Sequence, residues 1–446
     1  MRHIDLLRNL IAFDTVNNPA QGKQPTRECP EYLKKHLEKV GFSTEIIEQK
    51  GYYSVLGLRG RGRPVTLFIA HFDVVPIGPG WNTDPFDLTI KEGKGYGRGA
   101  ADDKGNVVAL LLLAETLSKK SFPGTVALAM TGDEETGGNN GASIVRSRLE
   151  EQNRFPDYLI TADGLGMKII TRRRNTCGVT ITVPENITKV QGTLQKHRFT
   201  TEFFGRESRH SAYFLPGIDR HAFLAASSFL NHNPHLHIES LAGNFVKGNV
   251  VPDCVELNCI DPSQRTLRDS KVVCDGNLVR LIRSLLPISR MQIAALPSDY
   301  GVTFCPNLFR GTDEKWTVLF DGRVMTKDVE AVETALDTIL AEKLSGIKYQ
   351  ATVSMGKAFM NSPITSLLVK TAQSIAQSFK LNPQPVELGG ASDTRHFTDR
   401  AVEAIDFGPI GDNIHGSNEF VILNSIPLTS KFYIELVLKI HEKMSE

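Results

Sequence analysis

The residues suited to chemistry in this chain each stand close behind or ahead of an apolar run. His71 and Asp73 lie in HFDVVP, directly after VTLFIA, and Asp102 lies in GRGAADDKG. Glu134 and Glu135 follow in TGDEETGG, Asp163 in YLITADG and His415 in GDNIHGSNEF. Alternate side chains of a strand share a face, so His71 and Asp73 point one way and Phe72 the other. A carboxylate two residues from an imidazole suits a metal ligand and its partner. It takes the ring's other N–H, fixes the tautomer and raises the basicity of the ligating nitrogen. Asp102 heads the apolar stretch NVVALLLLAETL after glycines that let backbone approach closely. A carboxylate there could bridge two cations. If Glu134 and Glu135 are extended, their side chains diverge, so one can hold a metal while its neighbour addresses a water. A hydrolytic site with two cations needs that division. The cations bring the pKa of a water to about 7 and polarise a carbonyl, and a free carboxylate shuttles the proton. Each piece has a plainer reading alone: a strand-end His, a solvated acidic turn, an Asp–Gly turn at 163–164, a loop His. Two histidines and three carboxylates, with a spare Glu and a supporting Asp, are together a poor match for chance.

The elements that must position these residues alternate. HIDLLRNLIAF and TRECPEYLKKHLEKVGF carry helical spacing, STEIIEQ, YYSVLGL and VTLFIA read as strands, and the Asp102 helix precedes the strand GTVALAMT. Alternation of this kind gives an α/β layer with a largely parallel sheet, whose ligands gather at the carboxyl ends of strands. At 446 residues two domains are expected. The character of the chain changes near Arg172, where strands with polar faces begin, and a helical, apolar pattern returns with SPITSLLVKTAQSIAQSFKL. We therefore expect a first domain over 1–175 resumed over 349–446, with an α+β domain inserted at 176–348. Residues 262–311 are polar and without clear period, and ENITKVQGTLQKH reads as an extra hairpin.

Composition excludes several classes. Hydrophobic residues make up 41% and charged residues 23%, as in soluble globular chains. A net charge of +1 provides no field for nucleic acid or acidic lipid. No run of about eighteen apolar residues suggests a membrane span, and the amphipathic N-terminus lacks a signal-peptide pattern. Six cysteines without CxxC spacing suit reduced, packed thiols and the cytoplasm, with Cys259 a core residue rather than a nucleophile.

HFDVVP, GRGAADDKG, TGDEETGG, GGASDTRHF and the His415 loop resemble, in order, the motifs of a family of zinc-dependent hydrolases. It comprises aminoacylases, acetylornithine deacetylases, succinyl-diaminopimelate desuccinylases and glutamate carboxypeptidases. The resemblance runs from His71 to about residue 421. It implies two zinc ions, for which cobalt or manganese can substitute. His71 and Asp163 would hold one, Glu135 and His415 the other, with Asp102 bridging, Asp73 supporting His71 and Glu134 as general base. It also implies a catalytic α/β/α domain with an inserted lid that mediates homodimerisation. RESRHSAYF resembles the lid motif that makes His210 a stabiliser of the oxyanion; GNVVPD and DGR would place Asn249 and Arg323 near substrate. Gly389, Gly390 and Arg395 of GGASDTRHF would approach the substrate and bind its anionic group.

The chain departs from the family in two places. Asp103 stands where many members have Met, leaving Asp102 and Asp103 as alternative bridges with register favouring Asp102, and the lid carries some fifty extra residues, mostly 262–311. His232, His235 and His237 in NHNPHLH lie outside the motifs and read as a decoy. The expected function is hydrolysis of an amide bond of an N-acyl amino acid or short peptide with a free carboxylate. A non-catalytic metal-binding or scaffolding relative is the alternative. Chain length tilts the expectation towards a peptidase or general aminoacylase.

Overall fold

In the computed structural model, which describes residues 2–204, 209–264, 271–293, 302–312 and 314–444, the apolar runs form strands that are buried on both faces. β1 (Ser43–Gln49), β2 (Tyr52–Arg61), β3 (Val65–His71), β4 (Gly124–Thr131), β5 (Tyr158–Thr161), β6 (Ile170–Arg173), β7 (Met360–Asn361), β8 (Val386–Leu388) and β9 (Glu403–Asp406) make one sheet. Its order is β1-β2-β4-β3-β5-β9-β6-β7, with β8 also on β6. The middle four strands, β4, β3, β5 and β9, are parallel. Antiparallel pairs flank them. This is the mixed α/β architecture with a parallel centre expected from the alternation.

Strand periodicity sorts the core into two layers. Phe68 of β3 and Val126, Leu128 and Met130 of β4 face one side, against α1 (Arg2–Ile11), α2 (Glu28–Lys39), α3 (Lys104–Leu117) and two helices of the chain's last part. Leu67, Ile69, Ala127 and Ala129 face the other side, where α4 (Ala142–Glu151) contributes Ala142, Val145 and Leu149. Each fully buried Leu, Ile or Phe of these layers contributes about 1.5–3 kcal/mol. α3 is apolar all round, and its Val107–Leu111 stretch is wholly buried, as a central helix requires. α5 (Leu367–Ser378) and α6 (Ser425–Lys443) complete this unit, which comprises Met1–Arg173 and Ala358–Glu446.

Arg174–Lys357 forms the second unit. Strand Asn175–Pro184 alternates buried and half-buried residues and lies between Lys315–Val324 and Gln350–Met355, with Thr303–Thr312 at the edge of an antiparallel four-stranded sheet. Thr193–Thr200, Cys254–Asp261 and His237–Gly243 make a three-stranded sheet. Helices Ala222–His232, Gly276–Ser289 and Val329–Lys343 pack with these strands around a separate core that includes Val179, Ile181, Leu281, Ile282 and Leu336.

Two local expectations change. Ile187–Gln191 and Thr193–Thr200 do not pair as a hairpin; the first pairs Lys271–Asp275 and the second Cys254–Asp261. Only Gly192 separates them, and one residue cannot make the two-residue turn that reverses a ribbon. The stretch 262–311 holds the strand Lys271–Asp275 and the helix Gly276–Ser289, started by Asp275, whose Oδ1 accepts the N–H groups of Asn277 and Leu278 at 2.8 Å each. Residues 265–270 and 294–301 of that stretch lie outside the described residues. Among the described residues no helix is long and apolar enough to cross a membrane. All six cysteines are free thiols, and Cys259 is fully buried.

Candidate metal centre

Parallel pairing brings the carboxyl ends of β3, β4 and β5 to one edge, with His71 level with Thr131 and Ile69 level with Thr161. The residues just past these strands therefore meet, at the edge where such sheets bind ligands. Glu134 and Glu135 are not extended; they start a 3-10 turn, Glu134–Thr136. Asp73 is pinned to that turn. Its Oδ1 accepts the Glu134 N–H at 3.1 Å, and its Oδ2 accepts the Glu135 N–H at 3.2 Å and the Asn17 amide at 2.8 Å. His71 Nδ1 lies 3.0 Å from the Asp73 carbonyl oxygen and 3.5 Å from Oδ1. With Nδ1 donating to that carbonyl, Nε2 is left to face Asp102.

Asp102 is the shared member of the site. Its Oδ1 lies 3.0 Å from His71 Nε2 and its Oδ2 3.2 Å from His415 Nε2, which is also 3.1 Å from Glu135 Oε2. One set of donor atoms, from His71, Asp102 and Asp163, lies within 4.8 Å, and so does a second from Asp102, Glu135 and His415. Asp103 is buried and engaged elsewhere: Oδ2 accepts the His71 backbone N–H at 3.0 Å and Oδ1 the Asn106 amide at 2.7 Å. Of the two adjacent aspartates, only Asp102 belongs to the donor sets. Asp163 is steadied by Arg173, which donates to its carbonyl at 2.9 Å and to Asp406 Oδ2 at 2.5 Å.

Crowding of carboxylates shows in their proton affinities. Burial raises Glu135 to about 7, with the positive charge of His415 pulling the other way. Burial also raises Asp163 well above the usual carboxylate range, against Arg173. For Asp102 burial pushes up, but hydrogen bonds from His415 and His71 outweigh it and hold the carboxyl low. The charge of Glu135, helped by contacts with Asp102 and Glu135 itself, raises His415 to about 12, although its side chain is 40% exposed. Glu135 Oε1 is buried with no hydrogen-bond partner among the described residues. A buried carboxylate oxygen with no donor, two imidazole nitrogens and two further carboxylates make a donor set that fits divalent cations of the zinc type.

Segment 389–397 packs beside the glutamate turn. Arg395 Nη2 lies 3.5 Å from Glu134 Oε1, and His396 Nε2 lies 3.0 Å from the Gly137 carbonyl. Asp393, buried and raised to about 7 by burial and then by the charge of Glu134, meets Thr131 Oγ1 at 3.2 Å. Gly389 and Gly390 form the bend after β8, and a Cβ at Gly390 would stand 3.3 Å from Arg173 Nη1. Within the second unit, His210 Nδ1 accepts the Ala212 N–H at 3.0 Å, so in the neutral ring Nε2 carries the hydrogen, and the Asn249 amide 3.1 Å from it must then present its oxygen to the ring. Arg323 is held by Asp321, whose Oδ2 accepts from Nε at 3.1 Å and Nη2 at 3.0 Å and also from the Ser211 hydroxyl. His232, His235 and His237 enter no metal-ligating group among the described residues.

Arg173, Glu419 and Asp393 are structural partners that the motifs alone do not reveal. Arg173 and Asp406 are 233 residues apart, and Arg98 and Glu419 are 321 apart. Arg98, Glu419 and Asp393 lie within the quoted motifs, but nothing in the sequence assigns them a partner.

The model of peptidase family M20/M25/M40 matches residues 67–439. The chain is 27% identical over 435 residues to the succinyl-diaminopimelate desuccinylase of Bordetella parapertussis, covering 96% of each chain. Among solved structures it is similar to aminoacylhistidine dipeptidase from Vibrio alginolyticus, with a TM-score of 0.71 and 13% identity over 98% of this chain and 96% of that one. It is also similar to the YXEP protein of Bacillus subtilis, described as a dinuclear metal binding peptidase, with a TM-score of 0.54 and 14% identity over 99% and 98%. With its parallel-centred fold and two clusters of side chains that could hold a metal ion, the chain belongs to peptidase family M20/M25/M40 and is a hydrolytic enzyme.

Proposed function

We propose that this chain hydrolyses the amide bond of an N-acyl amino acid, with His71 and Asp163 holding one zinc ion, Glu135 and His415 a second, and Asp102 both. The observation that carries the reading is the membership of Asp102 in both donor groups. Two bound cations would supply an acidified water and a polarised substrate carbonyl. Glu134 lies outside both donor groups, and its backbone N–H is fixed by Asp73, so its carboxylate is left to take the water's proton and pass it to the leaving amine. Arg395 orients Glu134 from one side. His210, its Nε2–H set by the bond at Nδ1, would donate to the developing oxyanion. Asn249, Gly389 and Gly390 would line the substrate's path. Of the two arginines, Arg323 is engaged by Asp321 and Arg395 faces Glu134, so a substrate carboxylate would compete with those partners.

Desuccinylases match 96% of this chain and have 96% of their own length matched, so chain length does not favour a peptidase over a deacylase. An N-succinyl or related N-acyl amino acid is accordingly the first substrate class, and a short peptide the second. Homodimerisation through Arg174–Lys357 and residence in the cytoplasm, where buried thiols stay reduced, belong to the same reading. The test is a hydrolysis screen of the zinc- and cobalt-loaded protein against N-succinyl and N-acetyl amino acids and dipeptides. Amine release from an N-acyl substrate is expected; a fully loaded protein that cleaves none of them overturns the proposal.

A further inference from the structure

Segment 413–419 is an unfavourable piece of backbone. Asn413, His415 and Asn418 all have positive φ, at 60°, 62° and 57°, a region that Asn and His enter more readily than other non-glycine residues but that needs determination by the surroundings. Two anchors supply that determination. Asn418 accepts the Asn82 N–H at 2.8 Å and donates to the Gly80 carbonyl at 3.1 Å. Glu419, wholly buried, does far more. Its Oε1 accepts the N–H groups of Ala101 at 2.8 Å and Asp102 at 3.0 Å; its Oε2 accepts the Gly99 N–H at 3.0 Å and Arg98 Nη1 at 2.7 Å. One carboxylate thus gathers three backbone donors and a guanidinium from the turn that carries Asp102, while standing four positions after His415.

A neutral side chain cannot accept all four. Gln offers one oxygen and turns two hydrogens towards donors, whereas a carboxylate has lone pairs for each. A buried ion pair is a weak source of stability, since an apolar pair of similar volume often does as well. The arrangement is better explained by what it fixes. We propose that Glu419 is a positioning residue for the metal centre: it locks the Asp102 turn to the His415 segment, so that the bridging carboxylate and the histidine arrive together. This rests on the reading of Asp102 and His415 as ligands. Arg98 aims the Glu419 carboxylate through its 2.7 Å contact with Oε2.

The test compares two variants that remove both buried charges and differ in the acceptor left for the Ala101 and Asp102 N–H groups. Arg98→Met/Glu419→Leu offers none, and Arg98→Met/Glu419→Gln offers one oxygen. Zinc affinity is measured on the chelator-stripped protein by competition with a chromophoric chelator, and apo-state Tm and circular dichroism report folding. The leucine pair is expected to bind zinc about 10–100-fold more weakly, with the glutamine pair between it and the wild type. A merely structural role would lower the apo-state Tm and leave affinity in place. Folded variants that bind zinc like the wild type overturn the proposal, and if the leucine pair does not fold, the affinity of the glutamine pair alone decides between the two. A wild type that takes up fewer than two zinc ions per chain instead overturns the reading of the ligands.

Discussion

Glu134 and Glu135 are adjacent in sequence and begin the same short turn, yet their surroundings assign them different work. Glu135 has one oxygen 3.1 Å from His415 Nε2 and the other buried without a donor among the described residues. Glu134 faces a guanidinium, 3.5 Å from Arg395 Nη2, and lies outside both donor groups. Replacing them should therefore separate binding from turnover. Glu134→Ala is expected to keep its full metal content while kcat falls about 10²–10⁴-fold, the span of positioned acid–base catalysis. Glu135→Ala should lose one metal ion per chain. Elemental analysis beside steady-state kinetics checks both, and an unchanged kcat in Glu134→Ala would remove that residue from proton transfer.

The turn that holds these glutamates is packed from outside by the 3-10 element Asp393–His396, and Gly138, just past the turn, stands directly against it. Its φ is +67°, and a Cβ there would lie 2.3 Å from Asp393 Oδ1 and 2.7 Å from His396 Nε2. Gly22 has the same φ of +67° with nothing within 4 Å, so it isolates the cost of the backbone conformation. Gly22→Ala should cost about 1 kcal/mol. Gly138→Ala should cost about 1–3 kcal/mol more from overpacking, and it should lower kcat more than it raises KM, because the displaced segment carries Arg395. Urea unfolding and kinetics on the pair test this; equal effects would mean that the contact yields freely.

What can be read from sequence at this scale follows from how local the signal is. β3 and β4 are legible because a buried parallel strand is an unbroken apolar run, and His71 and Glu135 are legible because they follow those runs directly. Helix Gly276–Ser289 does not stand out in the sequence, although Asp275 and the spacing of Leu278, Leu281, Ile282 and Leu285 mark it locally. Its neighbours on either side obscure the pattern. Glu419 and Arg173 carry no local signal, because their partners are set by strand order and not by spacing.

The described residues form two hydrophobic systems, one on the two faces of the sheet and one inside Arg174–Lys357, and each is expected to answer to a different solution variable. Both candidate ligand clusters belong to the first unit. Removing metal should therefore relax hydrogen-exchange protection of β3, β4 and β5 by up to about 4 kcal/mol when the ion had been present at a thousandfold over Kd. The strand Asn175–Pro184 should keep its protection; equal loss in both would show that the units unfold as one.

Acid should act on the second unit through His221. Its ring is 2% exposed, and Nδ1 accepts the Phe223 N–H at 3.2 Å to cap helix Ala222–His232. Burial lowers its pKa from 6.5 to about 3. Between those values the unfolded chain binds a proton that the native chain refuses, so stability falls as pH drops through the window, by about 1.4 kcal/mol per pH unit for this one group. Titrating carboxylates contribute on the same axis, so the comparison must be with a variant. His221→Asn keeps a capping acceptor and cannot titrate. Urea midpoints of the Arg174–Lys357 transition at pH 6.5, 5.5 and 4.5 should fall more steeply in the wild type than in the variant. Parallel slopes would mean that the buried imidazole takes its proton without disturbing the cap.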